Sequence, residues 1–130
     1  MKMKGFLIIV VLVLAAGVVN AKGMEVTKKA GSNTVTIALQ KDPPATGVNA
    51  FTVLVKDAAG KSVTDAKVTV SYEMPAMPGM PAMRYKTPAL LKGRLYTGTM
   101  NFSMAGSWHI SVKVARGGKT STARLTVDVR

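Results

Sequence analysis

Alternating apolar and polar side chains form the segment Trp108-His109-Ile110-Ser111-Val112-Lys113-Val114. Neighbouring side chains of a β-strand point to opposite faces, so this alternation predicts a strand with one buried and one solvated face. Trp108 is then a core residue, and His109 faces solvent. The same period of two recurs in five other segments, whose apolar residues are Val35, Ile37 and Leu39; Phe51, Val53 and Val55; Val68, Val70 and Tyr72; Tyr96, Met100, Phe102 and Met104; and Leu125, Val127 and Val129.

Turn-forming residues separate these strand segments, as at Asp57–Gly60, Ala105-Gly106 and Arg116–Gly118. Beyond the N-terminus, the sequence shows no periodicity typical of an amphipathic helix. We therefore predict an all-β fold, an immunoglobulin-like antiparallel β-sandwich of about seven strands that occupies residues 34–130. Residues 22–33 are polar, and we predict that they form a loose N-terminal tail or a first edge strand.

The N-terminus has the layout of a secretory signal peptide. Lys2 and Lys4 precede an apolar run from Phe6 to Val19, and Val19-Asn20-Ala21 supplies small residues at the −3 and −1 positions of a cleavage site. This layout predicts a helical signal peptide over residues 1–21 and an exported protein, periplasmic or otherwise extracytoplasmic. The apolar run is shorter than the roughly 18 residues of a confident membrane span. A retained N-terminal membrane anchor is the alternative.

Composition excludes several classes of function. The 130 residues include no cysteine and one histidine, which excludes disulfides, thiolate metal sites and a thiol nucleophile. The sequence offers no nucleophile–base pair and no paired carboxylates, so we do not expect an enzyme. The formal charge is +12, but the export signal and the lack of aromatic residues among the basic ones argue against nucleic acid binding. The lysines are scattered through loops and outward strand positions, which is typical of a solvated surface with a weak attraction to anionic membranes.

Methionine is the unusual residue of this chain, with nine copies. Four of them occur at three-residue intervals, and three of these precede a proline: Met74, Met77, Met80 and Met83. Proline favours polyproline II, whose three residues per turn align all four thioethers on one face. Alternatively, the segment from Met77 to Met80 fits a type II turn with Pro78 second and Gly79 third, which folds the segment back on itself.

The four thioethers suggest two interpretations. Thioethers are soft, neutral ligands that suit Cu(I), and by the same argument Ag(I), so the segment is a candidate metal site. Methionine also forms adaptable docking surfaces, so the segment is equally a candidate for capping the sandwich or binding a partner. Met104 and His109 are weaker candidate ligands: Met104 shares a face with core residues such as Met100, and His109 is a lone surface histidine.

These residues resemble those of a known family. The resemblance rests on Pro43-Pro44, the strand Phe51–Asp57, the Met-Pro segment, and Phe102-Ser103-Met104-Ala105-Gly106-Ser107-Trp108. Over residues 34–114 the chain resembles the YtkA-like domain, which is related to the FixH family. The resemblance implies an immunoglobulin-like fold, an exported or membrane-anchored setting, and heavy-metal handling that includes copper supply to respiratory oxidases and metal efflux. FixH-type proteins retain a membrane anchor, whereas this chain has a short apolar run and a cleavage-like site.

Two functional hypotheses follow. The first is a Cu(I)- or Ag(I)-binding module that serves as a chaperone or as an accessory to efflux or oxidase assembly, with Met74, Met77, Met80 and Met83 as ligands. The second is a metal-independent interaction module, whose Met-Pro loop docks on an envelope partner. In both, the expected partner is a metal efflux component or an oxidase-assembly factor.

Overall fold

The structure, a computed structural model, describes residues 23–130. The predicted signal peptide, residues 1–21, lies outside this region. The described chain forms eight strands: β1 (Met24–Ala30), β2 (Asn33–Leu39), β3 (Gly47–Lys56), β4 (Lys67–Met74), β5 (Met83–Lys92), β6 (Leu95–Phe102), β7 (Gly106–Arg116) and β8 (Lys119–Val129). Within this part of the chain, no helix is long and apolar enough to cross a membrane.

The strand order confirms the predicted all-β, immunoglobulin-like architecture. All strand pairs are antiparallel, in the order β1-β2-β3-β6-β5-β4-β7-β8. An immunoglobulin constant-type domain pairs its seven strands as ABED and CFG. When β2 to β8 are taken as A to G, the observed order gives the same two groups, β2-β3-β6-β5 and β4-β7-β8. β1 is an eighth strand beside β2.

Strand β5 joins the two groups into one nearly closed sheet. Its residues from Met83 to Ala89 pair with β4, and its last three, Leu90 to Lys92, pair with β6. A strand that switches between layers in this way forms a corner of the sandwich. β5 therefore lies in the layer of β4 up to Ala89 and in the layer of β6 from Leu90 onwards.

The core contains the inner-face residues that the alternation predicts. Trp108 is fully buried, and its ring lies 5.3 Å from that of Phe102 and 5.9 Å from that of Tyr72, measured between centroids. Buried aromatic rings contribute more apolar area than any other side chains, about 150–250 Å² each. This cluster therefore anchors β4, β6 and β7 to one another.

For residues 24–30 the prediction of a loose tail is wrong, and the alternative prediction of a first edge strand is confirmed. Met24–Ala30 form β1, which pairs with β2 from Met24 opposite Leu39 to Ala30 opposite Asn33. Ala30 is the one fully buried side chain of this strand, so no apolar alternation revealed it. Strand β5 was not predicted for the same reason. Ala89 is its one buried side chain, so the strand shows no alternation of apolar and polar residues. Backbone pairing with a neighbour, rather than a buried face, determines both strands.

The antiparallel order sends successive connections to opposite ends of the sandwich. We call one end the methionine end; it comprises residues 39–47, 74–83 and 102–106 with the terminal residues 23–24 and 129–130. We call the other the basic end; it comprises residues 30–33, 56–67, 92–95 and 116–119. Backbone hydrogen bonds from Thr46 to Arg130 (3.0 Å) and from Arg130 to Pro44 (2.9 Å) hold the C-terminus at the methionine end.

Candidate functional site

The Met-Pro segment is a β-hairpin, which we call the methionine hairpin (residues 74–83). Met74 and Met83 are the last cross-strand pair of β4 and β5. Met77 and Met80 face each other around the turn, and their backbones exchange two hydrogen bonds of 2.9 and 2.8 Å. Gly79 has a φ of 80°, the value at the third position of a type II turn. The predicted fold-back is confirmed, and a straight polyproline II rod is excluded.

The hairpin thus arranges its methionines as two cross-strand pairs. Directly opposed residues of an antiparallel pair have Cα atoms about 4.5–5.5 Å apart, which long thioether side chains bridge easily. The two pairs are three residues apart along each arm, or roughly 10 Å in an extended chain. Prolines at positions 75 and 81 lack the N–H that would continue the ladder between the pairs.

Exposure increases from the base of the hairpin to its tip. Met74 is 3% exposed and belongs to the core, whereas Met77 and Met80 are 45% and 36% exposed. Met83 is half-buried, and its Sδ accepts a hydrogen bond of 3.4 Å from Ser103 Oγ. The Cε of Met74 occupies the space next to Gly106, where an added Cβ would lie 2.7 Å from it. Glycine at 106 therefore permits the buried position of Met74.

Aromatic residues form the floor beneath the hairpin. Tyr72 and Tyr85 are a cross-strand pair two residues below Met74 and Met83, hence on the same face, with ring centroids 5.4 Å apart. Tyr85 is 41% exposed, and its ring lies 6.1 Å from that of Trp108. Extension of the β4–β7 register by one residue places Trp108 opposite Met74. The chain's one tryptophan is therefore a natural spectroscopic reporter of events at the hairpin.

The two weaker candidate ligands occupy different surroundings. Met104 lies in the β6–β7 connection, half-buried against the core, next to the Ser103 that contacts Met83. Its carbonyl accepts the indole N–H of Trp108 at 3.0 Å, so this connection is fixed beside the hairpin. His109 is exposed on the outer face of β7, 3.0 Å from Thr126 Oγ1. The structure therefore brings Met104 towards the hairpin but not His109.

One methionine of this end escaped the sequence analysis. Met24 begins β1 opposite Leu39 and packs, half-buried, against the core. Six of the seven methionines of residues 23–130 thus lie at the methionine end, and the exception, Met100, is fully buried as predicted. Met24 was not predicted to lie at this end, because its segment was predicted to be a loose tail. The high number of methionines in the sequence was the one signal that pointed to it.

The donor atoms near the hairpin are thioethers. Among residues 23–130, no group of three or more His, Cys, Asp or Glu side chains converges on a metal position. The nearest charged pair along the ladder is Glu73 and Arg84, which form an exposed ion pair of 3.3 Å. Neutral sulfur donors without carboxylates suit soft monovalent ions and disfavour Zn²⁺, Mg²⁺ and Ca²⁺. The donor set therefore fits Cu(I) or Ag(I).

A comparison with known protein families shows to which family the chain belongs. Residues 29–113, more than half of its length, match the YtkA-like family. The chain belongs to the YtkA-like family. The matched region of this YtkA-like protein extends from the end of β1 into β7 and contains the whole methionine hairpin. No curated protein matches the sequence.

A solved structure supports the fold. The YtkA-like protein is similar to the crystal structure of the PmoD soluble domain from Methylocystis sp. ATCC 49242 (Rockwell), with a TM-score of 0.54 and 14% sequence identity. The similarity covers 80% of this chain and 96% of the PmoD soluble domain. At this level of identity the similarity concerns the fold.

Proposed function

We propose that this YtkA-like protein is exported and binds Cu(I) or Ag(I) reversibly at the methionine hairpin, in the handling of heavy metals at the cell envelope. The observation that carries the proposal is the folding of Met74, Met77, Met80 and Met83 into two cross-strand pairs, away from any carboxylate or imidazole cluster of the described chain. Such a module would pass its ion to an envelope partner, a metal efflux component or an oxidase-assembly factor.

The exposure of the ligands suits reversible transfer. Met77 and Met80 present their thioethers to solvent, where an ion can enter or leave and a partner's ligands can reach it. Met83 is half-buried and would exchange its Ser103 hydrogen bond for the metal. Met74 lies deepest, so its use as a ligand competes with its core contacts. Neutral ligands leave the charge of the ion uncompensated, which favours release to a partner with stronger donors.

A competition titration tests the proposal. Residues 23–130, which contain all eight strands and their common core, are titrated with Cu(I) under anaerobic conditions against a chromophoric chelator. We expect the parent protein to remove Cu(I) from the chelator, and the variant with leucine at 74, 77, 80 and 83 to lose this ability. Met-to-Leu exchanges conserve volume and usually cost less than about 1.5 kcal/mol of stability each, and thermal unfolding of the variant confirms that it is folded.

A matched control separates the hairpin from methionine content in general. Met24→Leu with Met100→Leu removes thioethers at β1 and in the core, and we expect unchanged Cu(I) affinity. With Ag(I), the methyl resonances of Met77, Met80 and Met83 should shift, that of Met100 should not, and Trp108 fluorescence should change saturably. Equal Cu(I) binding by the four-leucine variant would contradict the proposal.

The pH dependence identifies the ligand type. Thioethers need no deprotonation, so we expect metal affinity to change little between about pH 5 and pH 8. An imidazole ligand must release its proton to bind metal, so participation of His109 would weaken binding in acid. The variant His109→Ala should therefore titrate like the parent, since the structure places this side chain on the opposite face from Met74.

A second function is favoured by the exposed tip. Met77 and Met80 are among the most exposed apolar side chains of the described chain, and such methionines suit docking on an adaptable partner surface. In this alternative, the hairpin binds an envelope protein without metal. Capture of such a partner from an envelope extract in the presence of chelator, and its loss in the four-leucine variant, would support docking. Capture that requires Cu(I) would support the metal-binding function.

A further inference from the structure

The basic end gathers charges that lie far apart in the sequence. Its four connections contain seven basic and two acidic side chains, and all seven basic residues are exposed: Lys56, Lys61, Lys67, Lys92, Arg94, Arg116 and Lys119. The methionine end has Lys41 and Arg130 against Asp42. Five of the ten lysines of residues 23–130, separated by whole strands in the sequence, thus lie at this one end of the fold.

Both acidic residues of the basic end are already engaged. Asp65 accepts a 2.7 Å hydrogen bond from the guanidinium of Arg116. Asp57 accepts two backbone N–H bonds of 2.9 Å, from Ala59 and Lys61. The six basic side chains other than Arg116 form no ion pair within the described residues. Their charge is therefore available to an external anion.

Exposed leucines lie among these charges. Leu90, Leu91 and Leu95, all in the β5–β6 hairpin, are 66%, 43% and 38% exposed. Lys92 pairs with Leu95 across this hairpin, and Arg94 lies in its turn. A shallow groove beside the hairpin is lined by Leu54 and Leu95 with Lys56, Lys92, Arg94 and Ser62. Leu54 and Leu95 thus share a groove with three basic side chains, and Leu90 lies on the same face of β5 as Lys92.

Exposed leucines beside basic side chains fit some kinds of partner better than others. A purely electrostatic partner, such as a nucleic acid, gains nothing from exposed aliphatic side chains. Protein–protein interfaces are depleted in lysine, which makes a protein face a poor match for this surface. The boundary of an anionic bilayer accepts leucine among its acyl chains and attracts lysine and arginine to its headgroups. Long basic side chains also reach the headgroups while their stems stay in apolar surroundings.

We propose that the basic end docks on an anionic lipid bilayer, with the leucines of the β5–β6 hairpin inserted at the headgroup boundary. In this orientation, the strands separate the methionine hairpin from the lipid by the length of β4, eight residues or roughly 26 Å. The hairpin then points away from the membrane. This inference rests on the basic end alone and is independent of metal binding.

Vesicle flotation tests the inference with residues 23–130. We expect binding to vesicles that contain phosphatidylglycerol and little binding to phosphatidylcholine alone. Binding should fall between about 0.1 M and about 1 M salt, where the Debye length shortens from about 10 Å to about 3 Å. The charge reversal Lys92→Glu with Arg94→Glu should weaken binding by at least about 30-fold. Lys41→Glu with Lys86→Glu changes the net charge equally but elsewhere, and should weaken it less than about 3-fold.

A second pair of variants tests the contribution of the leucines to vesicle binding. Leu90→Ser with Leu95→Ser should weaken vesicle binding by about ten-fold or more, because two aliphatic chains no longer insert. Val48→Ser, an equally exposed apolar residue near the methionine end, should leave binding unchanged. Thermal unfolding confirms that each variant is folded. Equal binding to neutral and anionic vesicles overturns the proposal, as does undiminished binding by the leucine variant. Capture on a soluble polyanion without vesicle binding also overturns it, and indicates an acidic macromolecule as the partner.

Discussion

The two ends of this sandwich are built by the same eight strands, yet they carry opposite chemistry. The methionine end holds six of the seven methionines of residues 23–130 and has almost no net side-chain charge. The basic end holds no methionine but seven basic residues and the exposed Leu95, and the exposed Leu90 and Leu91 of β5 lie beside it. A small all-β domain can thus keep thioethers and basic residues apart, because successive connections between antiparallel strands lie at opposite ends of the sandwich.

A second contrast lies within the methionine hairpin, between its base and its tip. Met74 is part of the core, and Met77 is largely in solvent, although both are candidate ligands in the same segment. Met74 therefore contributes mainly to core packing, whereas the thioether of Met77 is accessible to a metal ion from solvent. The following predictions test these contrasts, in order of decreasing effect on stability.

The largest effect is expected at the base of the hairpin. Met74→Ala should lower the free energy of unfolding by about 2–5 kcal/mol, because it leaves a cavity beside Trp108. Met77→Ala should change it by less than about 0.5 kcal/mol, since that side chain lies at an exposed tip. Urea unfolding followed by Trp108 fluorescence measures both values. Equal losses in the two variants would abolish the distinction between base and tip.

Gly106 should show the next largest effect. Gly106→Ala should cost about 1–3 kcal/mol, because the added Cβ meets Met74 Cε at 2.7 Å and the φ of 135° is unfavourable for alanine. Combination with Met74→Leu, which has no atom at that position, should recover part of the loss. A double-mutant cycle from urea unfolding measures the coupling. Strict additivity would show that backbone strain alone causes the loss.

The exposed ion pairs should contribute less. Asp65→Asn removes the partner of Arg116 at the basic end, and we expect a loss of about 0.2–1 kcal/mol. Glu73→Gln removes the partner of Arg84, a longer contact of 3.3 Å, and should cost less. The first variant also adds unpaired positive charge where six basic residues already lie unpaired, so its cost should decrease in high salt. Equal costs and equal salt dependence would mean that the local charge density has no influence on stability.

The smallest effect is expected at the Asp57 turn. The backbone N–H of Lys61 is the main cause that lowers the pKa of Asp57 below its ordinary value of 3.8, with a further contribution from the N–H of Ala59. A carboxyl whose pKa is lowered by folding stabilises the fold above its unfolded pKa, and this contribution disappears as pH falls through the folded pKa. The parent should therefore exceed Asp57→Asn in stability by a constant margin from pH 5 to pH 8.

Below about pH 4 this margin should shrink, as the carboxyl becomes protonated. Urea unfolding of both proteins at a series of pH values measures the difference. A margin that persists unchanged into strong acid would show that the turn depends on the shape of the side chain rather than on its charge.

The proposed metal site at the hairpin and the proposed membrane contact of the basic end differ in how far the sequence predicted their residues. The four methionines and the Pro78-Gly79 turn follow from local residues, so the hairpin was predictable. The basic end was not, because its lysines come from four connections separated by entire strands. Similarly, β1 and β5 have few buried side chains, and their strand conformation depends on pairing with β2 and β4.

The sequence by itself determined the strands with a buried face, the inward position of Trp108 and the outward position of His109, and it offered the fold-back between Met77 and Met80 as one of two geometries. Each of these depends on side-chain alternation or on the fixed φ of proline beside glycine, which are local properties of the chain. The tertiary structure alone decided the depth of Met74, the strand partners of β1 and β5, and the gathering of charge at one end. These depend on which strands become neighbours and on the antiparallel order, which sends every second connection to the same end of the sheet.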